Sequence, residues 1–212
     1  MQQQGKFILC SNVTEFAQWL NQKAITRQIQ LLQVHHTASP SYKDFSGSNH
    51  FSLLEGMENY HIHFDHFSQI AQNFTTFPDG SIAVCRDVNT APAIEYDPAK
   101  ELKGIYGANA AGICVENLGT FDTGGDQMAD LHRDTIVRLY ALLCRVCKLV
   151  PTTDAIVYHH WYDLDTGQRT NGTGVTKTCP GTNWFGGNTV QAAQDNFIPL
   201  ISATMSQIGD KA

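Results

Sequence analysis

Apolar residues recur along this chain at two spacings, one near 3.6 and one near 2, and the switches between them outline the elements. Residues 14–24 carry Phe16, Trp19 and Leu20 at helical spacing, which predicts a helix capped by Asn12 or Thr14. Phe7 to Cys10 is a short apolar run suited to an edge strand. Residues 29–35 (Ile-Gln-Leu-Leu-Gln-Val-His) predict a largely buried strand that runs into His35-His36-Thr37. The Ser-, Pro-, Gly- and Asn-rich stretch 39–49 predicts a loop, and 51–66 a helix with Phe51, Leu54 and Met57 in phase and histidines at its far end. Strands at 70–77 and 82–85 are separated by Pro78-Asp79-Gly80-Ser81, a hairpin turn in which Gly80 takes a positive φ.

The second half continues with an irregular, Pro-containing loop at 89–106, a central strand at 111–118 and a Gly/Asp loop at 119–126. A long amphipathic helix follows over 128–149, with Ile136, Leu139, Tyr140, Leu143, Val146 and Cys147 on one face and Pro151 as its stop. Residues 155–158 form a short apolar strand that delivers His159-His160, and the polar loop 161–174 leads to Lys177-Thr178-Cys179-Pro180-Gly181. The tail, 189–208, reads as a helix bent at Pro199. With no internal repeat and no linker, residues 1–212 read as a single α/β domain.

Composition narrows the possibilities. Of 212 residues, 42% are apolar and 16% charged, enough for a core and too apolar for disorder. Fourteen Lys+Arg against twenty Asp+Glu give a net charge of −6, so the basic excess of a nucleic-acid binder is missing. No run approaches eighteen apolar residues, which argues against membrane insertion. The apolar run near the amino terminus is too short for a signal peptide. The six cysteines are scattered rather than framed as a disulfide scaffold. These features predict a chain made in a reducing cytoplasm, with the sequons at Asn12, Asn73 and Asn171 as chance matches; a monomer is expected.

Nine histidines in a charge-poor chain raise the question of metal binding. His35 ends one buried strand, His159 ends another, and Cys179 precedes a Pro-Gly turn. Two imidazoles and a thiolate from strand ends and loops are a typical catalytic zinc set, with one position left for water. Spacing alone leaves a second reading open, in which the paired histidines are surface residues and Cys179 is a small buried hydrophobe.

The motifs themselves narrow this. Val34-His35-His36-Thr37-Ala38 resembles the His-His-Thr-Ala opening of the zinc-dependent N-acetylmuramoyl-L-alanine amidases, a superfamily that includes phage lysins and peptidoglycan recognition proteins. Five further segments agree in order: 67–74, the Asp79-Gly80 turn with Arg86 after it, Gly112-Ile113-Cys114-Val115-Glu116, Val157-Tyr158-His159-His160, and Lys177-Thr178-Cys179-Pro180-Gly181. The resemblance runs from about residue 29 to about residue 200. It implies a central mixed β-sheet flanked by helices, with His35, His159 and Cys179 as Zn2+ ligands, His160 being the alternative in the second pair. It also implies that Glu116 is a general base and that Lys177 offsets oxyanion charge. The implied substrate is peptidoglycan or a muropeptide, cut between N-acetylmuramic acid and L-alanine in cell-wall lysis or muropeptide recycling. A non-catalytic peptidoglycan-binding module of the same fold, and a cysteine peptidase built on Cys179 and His159, are the alternatives.

Two departures from the family pattern stand out. The position of its active-site tyrosine falls on Gln72, and the adjacent histidine on Asn73. Strand alternation would place Ile70, Gln72, Phe74 and Thr76 on one face, with Gln72 towards the metal as a hydrogen-bond donor and Tyr60 as its substitute. The interval from His159 to Cys179 is longer than usual, so 163–174 is expected to form a lid or substrate rim. Among the remaining candidates, Cys144-Arg-Val-Cys147 reads as packing, since it lies mid-helix. His61, His63 and His66 read as a polar rim of the cleft. Tyr158, Trp161 and Tyr162 either stack on substrate or cover the sheet.

Overall fold

The computed structural model describes residues 1–93 and 106–209. Most of the loop expected at 89–106 lies outside the described residues. Seven strands, β1 (Gln2–Gln4), β2 (Phe7–Cys10), β3 (Leu31–His36), β4 (Phe74–Thr76), β5 (Ile82–Val84), β6 (Gly112–Asn117) and β7 (Ile156–Tyr158), form one sheet in the order β1-β2-β5-β4-β6-β3-β7. The β4, β6, β3 and β7 strands run parallel, while β1, β2 and β5 join antiparallel at one side. The sheet is therefore mixed, as expected. Phe7–Cys10 is not an edge, because β1 pairs with it across the turn at Gly5.

The helices are α1 (Val13–Asn21), α2 (His50–His63), α3 (Tyr106–Asn109), α4 (Asp130–Cys147), α5 (Val190–Ala192) and α6 (Ile198–Gly209). Asn12 caps α1, its side chain accepting the Glu15 N–H at 3.0 Å. The long α4 helix ends at Cys147, four residues before Pro151, because Lys148 takes a left-handed φ of +57° and its N–H closes on the last turn. At the tail the backbone widens into a π turn over Ala193–Phe197, closed by the Ile198 N–H on the Ala193 carbonyl, directly before the segment that contains Pro199.

Alternation divides the sheet into two faces. Leu32 and Val34 of β3, Ile113 and Val115 of β6, and Phe74 of β4 meet Phe16, Ile136, Leu139, Tyr140 and Phe197 in the main core. The opposite face carries Leu9, Ala83 and Cys85, covered by Leu54 and Met57 of α2. Beyond α2 that second face carries Gln33 and His35 of β3 beside Cys114 and Glu116 of β6. Regular pairing of the expected 70–77 strand is confined to β4, since the Asn73 carbonyl accepts both the Cys85 and Arg86 N–H groups and interrupts the ladder.

One buried polar chain joins the layers. The Ala129 N–H donates to the Tyr42 hydroxyl (3.2 Å), and that hydroxyl pairs with His132 Nδ1 (2.7 Å). His132 Nε2 pairs with Thr76 Oγ1 (2.7 Å), Thr76 donates to Asn117 Oδ1 (2.8 Å), and Asn117 Nδ2 donates to the His35 carbonyl (2.7 Å). Burial pushes the His132 pKa from its ordinary 6.5 down to about 3. An unfolded chain takes up this proton near 6.5 and the folded one does not, so the contribution is whole above pH 6.5 and is lost as pH falls towards 3. We expect His132→Gln to flatten the dependence of urea-unfolding stability on pH between 6 and 4.5 by up to about 1.4 kcal/mol per pH unit. An unchanged slope would show that His132 is protonated in the fold.

Candidate metal centre and cleft

Register across the parallel strands builds the site. Thr75 of β4 pairs with Glu116 of β6, and Glu116 with His35 of β3. Val34 pairs with Tyr158, so His159 follows on β7 as the next residue beside His35. Glu116, His35 and His159 thus share one row on the second face of the sheet, opposite the main core. Cys179 reaches the same point from the loop before Pro180. The donor atoms of His35, His159 and Cys179 all lie within 4.8 Å of one another, and all three residues are buried. Cys179 Sγ is 3.6 Å from His35 Nδ1 and also receives the His36 backbone N–H at 3.4 Å.

The other member of each histidine pair is used elsewhere. His36 Nδ1 accepts the Phe121 N–H at 3.1 Å. His160 Nδ1 binds the Lys177 carbonyl at 2.7 Å, and its backbone N–H binds the Cys179 carbonyl at 2.8 Å. Those two bonds fasten the strip that carries Lys177 and Cys179. In this way His160 positions the Cys179 loop while its own ring turns from the cluster.

Burial, followed by the positive charge of nearby Lys177, pushes the His159 pKa down to about 3. Burial also holds His35 well below 6.5, with His159 and Lys177 adding to the effect. Both imidazoles are therefore neutral at physiological pH, the form that donates a lone pair to a metal. His159 Nε2 is buried with no hydrogen-bond partner among the described residues. Two neutral imidazoles, one with an unsatisfied buried nitrogen, and a thiol within a few ångströms fit a zinc ion.

The cluster forms the floor of a cleft of about 800 Å³ whose lining includes Glu116, Lys177 and Asp122 near the cluster, and Met57, Tyr60 and His61 along α2. A family model described as N-acetylmuramoyl-L-alanine amidase matches residues 25–182. The chain belongs to the N-acetylmuramoyl-L-alanine amidase family. Comparison with curated protein sequences gave no match. Among solved structures, Drosophila PGRP-LB superposes with a TM-score of 0.54 at 16% identity, covering 76% of this chain and 79% of that one. Peptidoglycan recognition protein LE, in complex with tracheal cytotoxin, matches at 0.51 and 20% identity over 65% and 72% of the two chains. The endolysine N-acetylmuramoyl-L-alanine amidase LysCS from Clostridium intestinale matches at 0.50 and 15% identity over 76% and 80%. At these identities the likeness is one of fold.

Within this amidase fold, several expectations are corrected. Gln72 is fully buried and absent from the cleft lining, and its amide donates to Thr75 Oγ1 at 3.0 Å. The break at Asn73 is the reason: Phe74 and Thr76 face the main core, so the alternation expected from Ile70 does not hold. Asn73, in the family's histidine position, fastens the break by donating to the Asp87 and Thr90 carbonyls. Tyr60 lines the cleft, half exposed and stacked on Phe64.

Residues 163–174 do not cover the cleft, and none of them lines it. They close on themselves, with the Asp163 carboxylate accepting the Thr166 and Val175 N–H groups. Tyr158, Trp161 and Tyr162 are buried and cover the sheet instead of offering a stacking surface. His61 lines the cleft, whereas His63 and His66 lie outside it. Cys144 is packed in the core of α4, where burial pushes its thiol up to about 12. No sequence motif marks Gln33 or Asn109. Gln33 Oε1 lies 3.3 Å from His35 Nε2, and Gln33 Nε2 donates to Asn109 Oδ1 at 3.0 Å. The available signal was a glutamine in the middle of an apolar strand, two residues before a ligand.

Proposed function

We propose that the chain is a zinc-dependent N-acetylmuramoyl-L-alanine amidase that hydrolyses the amide between the lactyl group of N-acetylmuramic acid and L-alanine in peptidoglycan or muropeptides. The observation that carries this reading is the convergence of His35, His159 and Cys179 on a cleft floor beside Glu116 and Lys177. Family membership and the endolysine LysCS among its structural neighbours support the reaction. The neighbour solved with tracheal cytotoxin, a monomeric diaminopimelic acid-type peptidoglycan, supports the substrate class.

His35, His159 and Cys179 would hold the zinc, which when bound supplies Lewis acidity at the scissile carbonyl and favours water as a nucleophile near neutral pH. Glu116, in register with His35, takes the proton released by the attacking water and passes it to the leaving α-amine of L-alanine. Lys177 sets a positive charge against the oxyanion of the tetrahedral intermediate. Gln72 has no direct role in this scheme, and Tyr60 is placed to contact substrate at the rim.

Mass spectrometry of digested peptidoglycan should show glycan strands with free lactyl carboxylates and stem peptides with a free L-alanine amine. Cleavage at any other bond would refute the assignment. Metal analysis should find one zinc per chain, lost for the most part in Cys179→Ala and retained in His160→Ala. Stoichiometric zinc in Cys179→Ala would reject the ligand set. Activity that survives chelation but not thiol alkylation would shift the chemistry to Cys179 as a nucleophile. Glu116→Gln is expected to lower turnover ~10²–10⁴-fold, and Lys177→Met ~10²–10³-fold, with zinc content unchanged. Wild-type rates in both would leave the reaction without protein acid–base assistance.

A further inference from the structure

We propose that Gln33, held in orientation by Asn109, is a positioning residue that fixes His35 in the tautomer whose Nδ1 is free to bind the metal. The inference rests on the zinc reading above and concerns how the chain prepares one ligand. His35 Nδ1 faces Cys179 Sγ at 3.6 Å and its Nε2 faces Gln33 Oε1 at 3.3 Å. A neutral imidazole carries one N–H. With a carbonyl oxygen opposite Nε2, that hydrogen stays on Nε2 and the Nδ1 lone pair points at the cluster. If the Gln33 amide were turned over, its NH2 would donate to Nε2 and move the hydrogen to Nδ1, closing that nitrogen to a cation. Asn109 Oδ1, an acceptor 3.0 Å from Gln33 Nε2, selects the productive orientation.

The strand is built around this side chain. Gln33 is completely buried between Leu32 and Val34, in a position where an apolar residue would avoid the cost of desolvating an amide. Period-2 alternation puts it under His35 on the same face. Across the ladder, a Cβ on Gly112 would come within 2.9 Å of Gln33 Nε2 and 2.6 Å of the Ala108 carbonyl, so glycine there leaves the space the amide occupies. Asn109, itself buried, is brought to the amide by α3, the short helix just before β6.

The test is competition for zinc between the metal-free protein and a chromophoric chelator, with the melting of the metal-free forms followed by circular dichroism. Gln33→Met, which keeps length and loses the acceptor, should weaken zinc about 10–100-fold while its metal-free form, though melting lower, still unfolds in one cooperative step. Gln33→Glu, which restores an acceptor to His35, should return affinity to within about threefold of wild type, a rescue that a merely structural role would not produce. Gln33→Met binding as tightly as wild type, or Gln33→Glu binding as weakly as Gln33→Met, would overturn the proposal. If metal-free Gln33→Met does not fold, Asn109→Leu is decisive in the same competition: weakened zinc supports the relay and wild-type affinity overturns it. A wild type that binds no zinc removes the metal reading and the relay together. A wild type that binds zinc but cuts no muramyl amide removes only the proposed reaction, and the affinity series still decides the relay.

Discussion

Parallel pairing of β6, β3 and β7 is the constraint on which everything else depends. Because side chains alternate with period 2, register decides which residues share a face, and a slip of one residue would send His35 into the core and bring Val34 or His36 to the cleft. The hydrophobic pattern enforces that register. Leu32, Val34, Ile113 and Val115 must all reach the face packed by α4, and burying each is worth roughly 1.5–3 kcal/mol. The site residues are thus held by the apolar residues that alternate with them.

Polar contacts then refine the position of each group. The carbonyl of His35 is tied through Asn117, Thr76 and His132 to Tyr42, so the ligand-bearing strand is cross-linked to α4 by side chains that would each be costly to bury alone. Each member finds both a donor and an acceptor, and the network is compatible with one His132 tautomer. Below the cluster, Gln33 and Asn109 extend the same logic to the ring of His35. Removal of one partner from such a chain leaves a buried polar atom unsatisfied, which costs more than the hydrogen bond itself contributes.

Much of this was legible in the sequence, and the parts that were not have a common cause. The helices α1, α2 and α4 and the strands β2, β3 and β6 were visible from apolar period, and His35, His159 and Cys179 from motif. Readings that depended on the path of irregular backbone failed. The alternation assigned to Gln72 assumed an unbroken strand, whereas Asn73 accepts two N–H groups at once and donates to two carbonyls, a tertiary arrangement without local periodicity. Gln33 is not legible because apolar pattern alone does not distinguish a polar residue on a strand's functional face from an interruption of its core. The β1 strand, three exposed glutamines, has no pattern to read and is ordered by pairing to Phe7–Cys10.

The insertion between the second histidine and the cysteine makes the physical point most clearly. Extra length between two ligands suggests a mobile cover, but chain length says little about where a loop goes, because closing a longer loop costs only about 0.6 kcal/mol per doubling. What decides is where its polar backbone is satisfied. Here Trp161 is buried with its indole N–H on the Asn188 carbonyl, and its own carbonyl accepts the Thr170 and Asn171 N–H groups, so the insertion returns at once to its starting point. The Asp163 carboxylate closes the other side on the Val175 N–H, with Gly174 packed so tightly against it that a Cβ would come within 2.2 Å. From there His160 takes the Lys177 carbonyl and the strip reaches Cys179 in place. The extra residues are absorbed as a self-contained knot beside the sheet, and the two ligands they separate meet as though the insertion were absent.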